Sequence, residues 1–262
     1  MRREEKKHIL NLEKKGITFI KNVFSKSECN KFIKRFEKLT TEFEKKKRKL
    51  GDQGQTIQNY FAYDEKLLKF LQIKKVDQIL KQVIDEDYVL INSSLTNRFN
   101  RKENLNKKES HFNNLGGKWH HDSRIIGGKR LDKGFSYTML IMFDNFTKEN
   151  GCTEYVEKSH LIRNKFPQKN KDYKKSKKII GEQGTVVIFD TGLWHRAGVP
   201  SSNKSRWSIF AYFGPWFMKP YYDFPTMFKK NKRLDKNMKK LLHFNSIPPK
   251  NEMQGTRTLK KL

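Results

Sequence analysis

A mainly β fold with flanking helices is what this 262-residue chain predicts, and two observations carry the prediction. Four apolar or aromatic runs, over 88–91, 135–143, 184–190 and 207–213, are short enough to be buried strands. No helical periodicity separates the last three, so an antiparallel sandwich or barrel is favoured over an alternating α/β sheet. Barrels of this length commonly form one domain, so the reading is a single domain over 1–262. It divides into a helical elaboration over about 1–87, a β core over about 88–215 and a basic helical tail over about 216–262.

Residues 4–15 read as a short polar helix that Gly16 ends, before the strand signal Ile17-Thr18-Phe19-Ile20. Ser25-Lys26-Ser27-Glu28 has the form of a capping box and opens a helix whose apolar face is Phe32, Phe36, Leu39 and Phe43, expected to run on to Gly51. Residues 52–62 read as loop, and 64–73 and 75–85 as helices, before the strand at Tyr88-Val89-Leu90-Ile91. From 100 to 118, Asn, Lys and Gly predict a mobile loop. After the strand at 135–143 the chain turns over Asp144 to Gly151, Tyr155-Val156 is a short strand, and 160–180 is a polar insertion. A helix is expected over about 229–243, with a loose tail after Pro248-Pro249. Trp194 and Trp216 read as core residues.

The net charge of +29 raises the question of a polyanionic partner. The bases are mostly Lys, scattered among many Asn, Ile and Phe, the mix that AT-rich codons produce, and clusters such as Lys45-Lys46-Lys47-Arg48-Lys49 read as solvated faces. Nucleic-acid binding therefore stands as an alternative supported by charge alone, without an RNP, zinc-finger or helix-turn-helix signature. No window approaches the roughly 20 apolar residues of a membrane span. The N-terminus is charged from Arg2 onward, and Cys29 and Cys152 lack metal-type spacing, so a cytoplasmic setting is expected.

The chemistry concentrates in Trp119-His120-His121-Asp122 and the distant Leu193-Trp194-His195. In an extended segment side chains alternate, so His120 and Asp122 share one side and His121 faces the other. A His-x-Asp pair is short and common by chance. A later His after a strand and turn completes the 2-His-1-carboxylate facial set that holds Fe(II) with open positions. His195 is the expected third ligand, with His111 the alternative among His8, His111, His160 and His243. Arg206 follows His195 by eleven positions, inside an otherwise apolar strand. A half-buried Arg needs an anionic partner, and its planar fork suits a carboxylate, whether that of a cosubstrate or of a structural Asp or Glu. The combination suggests an oxygenase dependent on iron and 2-oxoglutarate.

These residues resemble the phytanoyl-CoA dioxygenase family of Fe(II)/2-oxoglutarate oxygenases. The resemblance runs through Trp119-His120-His121-Asp122, Glu149-Asn150-Gly151-Cys152, Lys158-Ser159-His160, and Gly184 to Phe189 leading to His195 and Arg206. It covers roughly 85–215, with a similar pattern over 16–36. It implies a double-stranded β-helix (jelly-roll, cupin-like) core, iron held by His120, Asp122 and His195, and Arg206 on the distal carboxylate of 2-oxoglutarate. It further implies O2 as oxidant, succinate and CO2 as products, and a cosubstrate hydroxyl contact from Ser123 or Thr138. The family's Pro-Gly-Ser-His block reads Glu157-Lys158-Ser159-His160 here, which makes His160 a turn-shaping residue. The carboxylate of Asp122 argues against a halogenase and for hydroxylation of a small or carrier-bound, anionic substrate, with a non-catalytic 2-oxoglutarate sensor as the other alternative. Arg98, Arg124 and Arg130 are the candidates for receiving an anionic substrate group.

Overall fold

The computed structural model describes residues 3–45, 54–98, 117–123, 125–126, 129–130, 134–162, 165–169, 171–202 and 204–246. The expected loop at 100–118 lies almost wholly outside them, as do His111, Arg124, the end of the second helix and the tail after Pro248.

Helix α1 (Arg3–Lys15) stops at Gly16, whose φ of +79° an L side chain rarely adopts; a Cβ there would also meet Nδ1 of His160 at 2.5 Å. Strand β1 (Ile17–Ile20) follows, then α2 (Lys26–Lys45), opened by the capping box. The Glu28 N–H donates to Ser25 Oγ at 3.2 Å, and the Ser25 N–H donates to Glu28 Oε2 at 2.9 Å. Next come β2 (Gly54–Gln58), two 3-10 turns, α3 (Lys74–Val83) and β3 (Val89–Arg98). A hairpin of β4 (Ile125–Ile126) and β5 (Lys129–Arg130) precedes β6 (Tyr137–Met142), β7 (Glu154–Tyr155) and β8 (Lys177–Lys178). The core closes with β9 (Val186–Asp190), β10 (His195–Arg196) and β11 (Arg206–Gly214), followed by α4 (Phe224–Met227), α5 (Lys236–Leu241) and a 3-10 turn at Phe244–Ser246.

Every strand pairing is antiparallel. A six-stranded major sheet has the order β1-β9-β6-β11-β3-β2, and a minor sheet has the order β10-β7-β8, extended by a bridge between His120 and His195. This is the expected antiparallel β core with flanking helices. The period of two divides its packing. Trp207, Ile209, Met139, Ile141 and Ile188 point to the helical side, where Phe36 of α2 meets Phe143 edge-on at 4.8 Å and Trp207 at 5.6 Å. Leu140, Met142, Val187 and Phe189 point inward and meet Tyr155, Ile179 and Leu193 beneath the minor sheet. Among the described residues no helix is long and apolar enough to cross a membrane.

Five expectations need correction. Residues 54–58 form β2 where a loop was expected, because among its described side chains Ile57 alone turns to the core while Thr56 and Gln58 face a cavity. Strand β3 runs seven residues past the apolar tetrad, for Asn92, Ser94, Thr96 and Arg98 alternate into the same cavity and lack an apolar signature. The 64–73 helix is a 3-10 segment at Glu65–Leu71, and the C-terminal helix is confined to Lys236–Leu241. Trp194 is buried, but Trp216, expected in the core, is 39% exposed.

The Glu157–His160 turn retains the backbone demand of a glycine without having one: Lys158 sits at φ +65° and caps the short turn Ser159–Leu161. Lys158→Gly should therefore raise stability by roughly 0.5–1 kcal/mol, after allowing for the extra freedom glycine has in the unfolded chain. Chemical denaturation with an unchanged slope and a higher midpoint checks this.

Candidate metal centre

The site begins in backbone pairing. His120 N–H donates to His195 O at 3.0 Å and His195 N–H donates to His120 O at 2.9 Å, which sets the two rings side by side with centroids 4.3 Å apart. Two residues on, Asp122 N–H donates to Thr191 O at 2.7 Å, and an Asp190–Leu193 turn returns the chain from β9 to β10. These bonds bring one ligand atom each from His120, Asp122 and His195 within 4.8 Å of one another. Nε2 of His120 lies 3.7 Å from Asp122 Oδ1, and Nε2 of His195 lies 3.6 Å from Asp122 Oδ2.

The other ring nitrogens settle which atoms are free. Nδ1 of His120 lies 2.8 Å from Lys118 O, and Nδ1 of His195 lies 2.9 Å from Leu193 O. A carbonyl only accepts, so each Nδ1 must carry the proton and each Nε2 presents its lone pair to the shared space. Thr138 Oγ1 lies 3.5 Å from Asp122 Oδ2, orienting the carboxylate. His121 turns aside as alternation predicts: its Nδ1 is 2.9 Å from Ser123 Oγ and its ring stacks on Phe166. His195 is buried, and burial holds its imidazole down to about 4, against smaller opposing influence from Asp122. It is neutral at physiological pH, as a donor to a cation must be.

The rings and carboxylate open into a cavity of about 540 Å³ between the sheets. Strand register orders it. Thr138 pairs with Tyr212 and Tyr212 with Asn92, which puts these residues at the level of Asp122; Arg206 and Arg98, directly paired, lie three rungs deeper. Arg206 is 2% exposed, its guanidinium 4.4 Å above the Phe146 ring, and its Nε and Nη1 have no hydrogen-bond partner. Burial first, then the nearby Arg98, pushes its ionisation down to about 9; burial pushes Arg98 down to about 10. Two buried like charges side by side favour whatever anion enters between the sheets.

His120, Asp122, His195, Thr138 and Arg206 thus all line one cavity, while Ser123 is turned to His121. His160 lies apart, its Nε2 3.0 Å from Glu13 O in the turn expected of it. Arg98, a candidate for an anionic substrate group, lies instead beside Arg206, and Phe146 and the polar inner faces of β2 and β3 were not singled out. The alternation Asn92, Ser94, Thr96, Arg98 was the available signal.

The sequence profile of the phytanoyl-CoA dioxygenase family matches residues 12–208. The chain belongs to this family. Among curated proteins it is 26% identical over 192 residues to Rv1501 of Mycobacterium tuberculosis and to Mb1539 of Mycobacterium bovis, covering 72% of this chain and 66% of each relative. It thus spans slightly less than two thirds of their length. Its fold is similar to that of HygX from Streptomyces hygroscopicus, a structure with nickel and 2-oxoglutarate bound (TM-score 0.65, 14% identity, 86% of this chain and 91% of HygX). It is also similar to the α-ketoglutarate-dependent epimerase SnoN of nogalamycin biosynthesis (0.61, 13%, 83% and 86%) and to the carbocyclase SnoK (0.58, 16%, 82% and 84%). These likenesses establish the double-stranded β-helix fold of this family's oxygenases.

The buried neutral His195 has a pH consequence. Its folded ionisation lies below the unfolded value of about 6.5, so it favours the folded apo-protein fully above that pH and loses this contribution as pH falls toward about 4. Denaturation midpoints of metal-free protein between pH 7 and 4.5 should fall, and fall less in His195→Gln.

Proposed function

We propose that this member of the family is an Fe(II)/2-oxoglutarate-dependent dioxygenase that hydroxylates a small or carrier-bound organic substrate. One observation carries the reading: two histidines with Nδ1 locked to carbonyls and one carboxylate converge on a common point, in a cavity whose floor holds a buried guanidinium with unpartnered Nε and Nη1.

In this reading His120, Asp122 and His195 hold the iron through Nε2, a carboxylate oxygen and Nε2. The metal, when bound with 2-oxoglutarate and O2, supplies the oxidising chemistry, with succinate and CO2 released. The chain supplies position and dryness. Arg206 receives the distal carboxylate of 2-oxoglutarate, stacked on Phe146 so that its fork is held in one plane, and Arg98 beside it strengthens the positive field. Thr138 keeps Asp122 turned to the metal and offers its hydroxyl to the cosubstrate. Ser123, the other hydroxyl proposed for that contact, would have to leave His121 to make it. The carboxylate of Asp122 favours hydroxyl transfer over halogenation. Binding of hygromycin B in a HygX structure supports a small-molecule substrate. Buried free thiols at Cys29 and Cys152 suit a reducing, cytoplasmic setting.

The test is succinate release from 2-oxoglutarate by iron-loaded protein, with mass analysis of product for one added oxygen. His120→Ala should abolish turnover, and Arg206→Ala should raise the 2-oxoglutarate KM by about a hundredfold, the scale of losing a buried charge partner. Unchanged turnover in His120→Ala, or an unchanged KM in Arg206→Ala, contradicts the assignment.

A further inference from the structure

We infer that the mouth of the cavity recognises a ring-shaped, hydroxyl-rich substrate, a saccharide or cyclitol unit, through the carboxamide pair of Gln58 and Asn92. The inference rests on the dioxygenase reading and names its substrate class.

The register puts Asn92 at the level of Asp122 and Gln58 one rung deeper, across the cavity from the metal ligands. Cosubstrate reaching from the triad down to Arg206 leaves this upper wall for the substrate. The wall is uncharged and polar. Asn92 Nδ2 donates to Gln58 Oε1 at 3.1 Å, while Asn92 Oδ1 is buried with no partner. Asn92 Oδ1 is covered in this state, and the pair offers it when a substrate hydroxyl turns the amide outward, beside the N–H donors of the exposed Gln58. A hydroxyl both donates and accepts, so neighbouring ring hydroxyls match it: one O–H donates to Asn92 Oδ1 and the next oxygen accepts from a carboxamide N–H. Ser94, on the next rung, adds a further hydroxyl.

Aromatic faces flank this pair. Tyr212 and Tyr221 line the cavity, the latter held by its N–H donating to Ile91 O at 2.9 Å. Beyond Tyr212, Phe135 packs against Phe217, which is 58% exposed. Aromatic faces beside hydrogen-bonding groups suit a molecule with an apolar C–H face and a polar edge, as sugar rings have. A long acyl chain would leave the carboxamide groups buried against hydrocarbon and unpaired, which a binding site discriminates against strongly. Among the described residues lining the cavity, Asp122 is the sole carboxylate, so the wall selects by hydroxyl geometry rather than by cationic charge.

The experiment is saturation-transfer NMR on the full chain loaded with Zn(II), a redox-inert substitute for iron, and 2-oxoglutarate. The probes are methyl glucoside, sucrose, myo-inositol and decanoyl-CoA, with binding of 2-oxoglutarate read in the same samples. At least one hydroxylated ring should bind saturably at or below tens of millimolar, and Gln58→Leu and Asn92→Leu should each weaken it about tenfold or more. Gln58 is exposed, so its variant tests the pair even where Asn92→Leu fails to fold. Binding of decanoyl-CoA with silence from every hydroxylated probe, no probe binding while 2-oxoglutarate does, or binding undiminished in the variants would overturn the inference. Hydroxylated probes that bind where 2-oxoglutarate does not would support the wall and refute the dioxygenase reading instead.

Discussion

The arrangement of the site depends on one reciprocal backbone contact, the pair of hydrogen bonds between His120 and His195. It is a single antiparallel bridge, and it joins residues 75 positions apart at the edge of the minor sheet. Everything that matters for coordination is measured from it. The rings lie side by side because their Cα atoms are cross-strand partners, and Asp122 reaches the same space because it is two residues further along an extended segment. The carbonyls of Lys118 and Leu193, each two residues before its histidine, then select the ring nitrogen that faces inward. A ligand set built on paired backbone is held more firmly than one on loops, since ring orientation is inherited from the sheet.

The major sheet treats its two faces differently. Its helical side is closed by aromatic packing around Phe36, Phe70 and Phe143, a dense layer that keeps the strands in register. Its inner side is apolar where β1, β9 and β6 meet the minor sheet, and becomes mostly polar on β11, β3 and β2. The charged end of that polar face carries an electrostatic cost. Arg206 and Arg98 are cross-strand partners, buried, and depressed in ionisation by their surroundings. Two guanidiniums side by side favour an entering anion, which is the electrostatic basis of the proposed cosubstrate site. The wider charge of +29 is a separate matter, since its Lys residues are spread along the chain and the cavity depends on these two arginines.

Much of this was legible in the chain. Apolar runs such as 184–190 announce their strands, and the His-x-Asp pair, the distal His and the following Arg, whose types and order metal and carboxylate chemistry would restrict, come together at one cavity. The strands β2 and most of β3 were illegible for the opposite reason. Thr56, Gln58, Asn92, Ser94 and Thr96 are inward-facing yet polar, and a buried polar face has the composition of a loop. Lys158 hides a left-handed turn position under a residue that gives no glycine signal. Trp216 misled because a half-exposed aromatic residue has the same composition signal as one in a core. Two of these misreadings, β2 and most of β3, lie on the cavity wall.

The central claim is that these three side chains hold a metal that 2-oxoglutarate chelates. The most direct measurement is the visible absorption of anaerobic protein given Fe(II) and titrated with 2-oxoglutarate, in the wild type and in His195→Ala. The account predicts a weak metal-to-ligand charge-transfer band that saturates in the wild type and is lost in the folded variant. A band of equal intensity in His195→Ala, or none in folded wild-type protein, would contradict it.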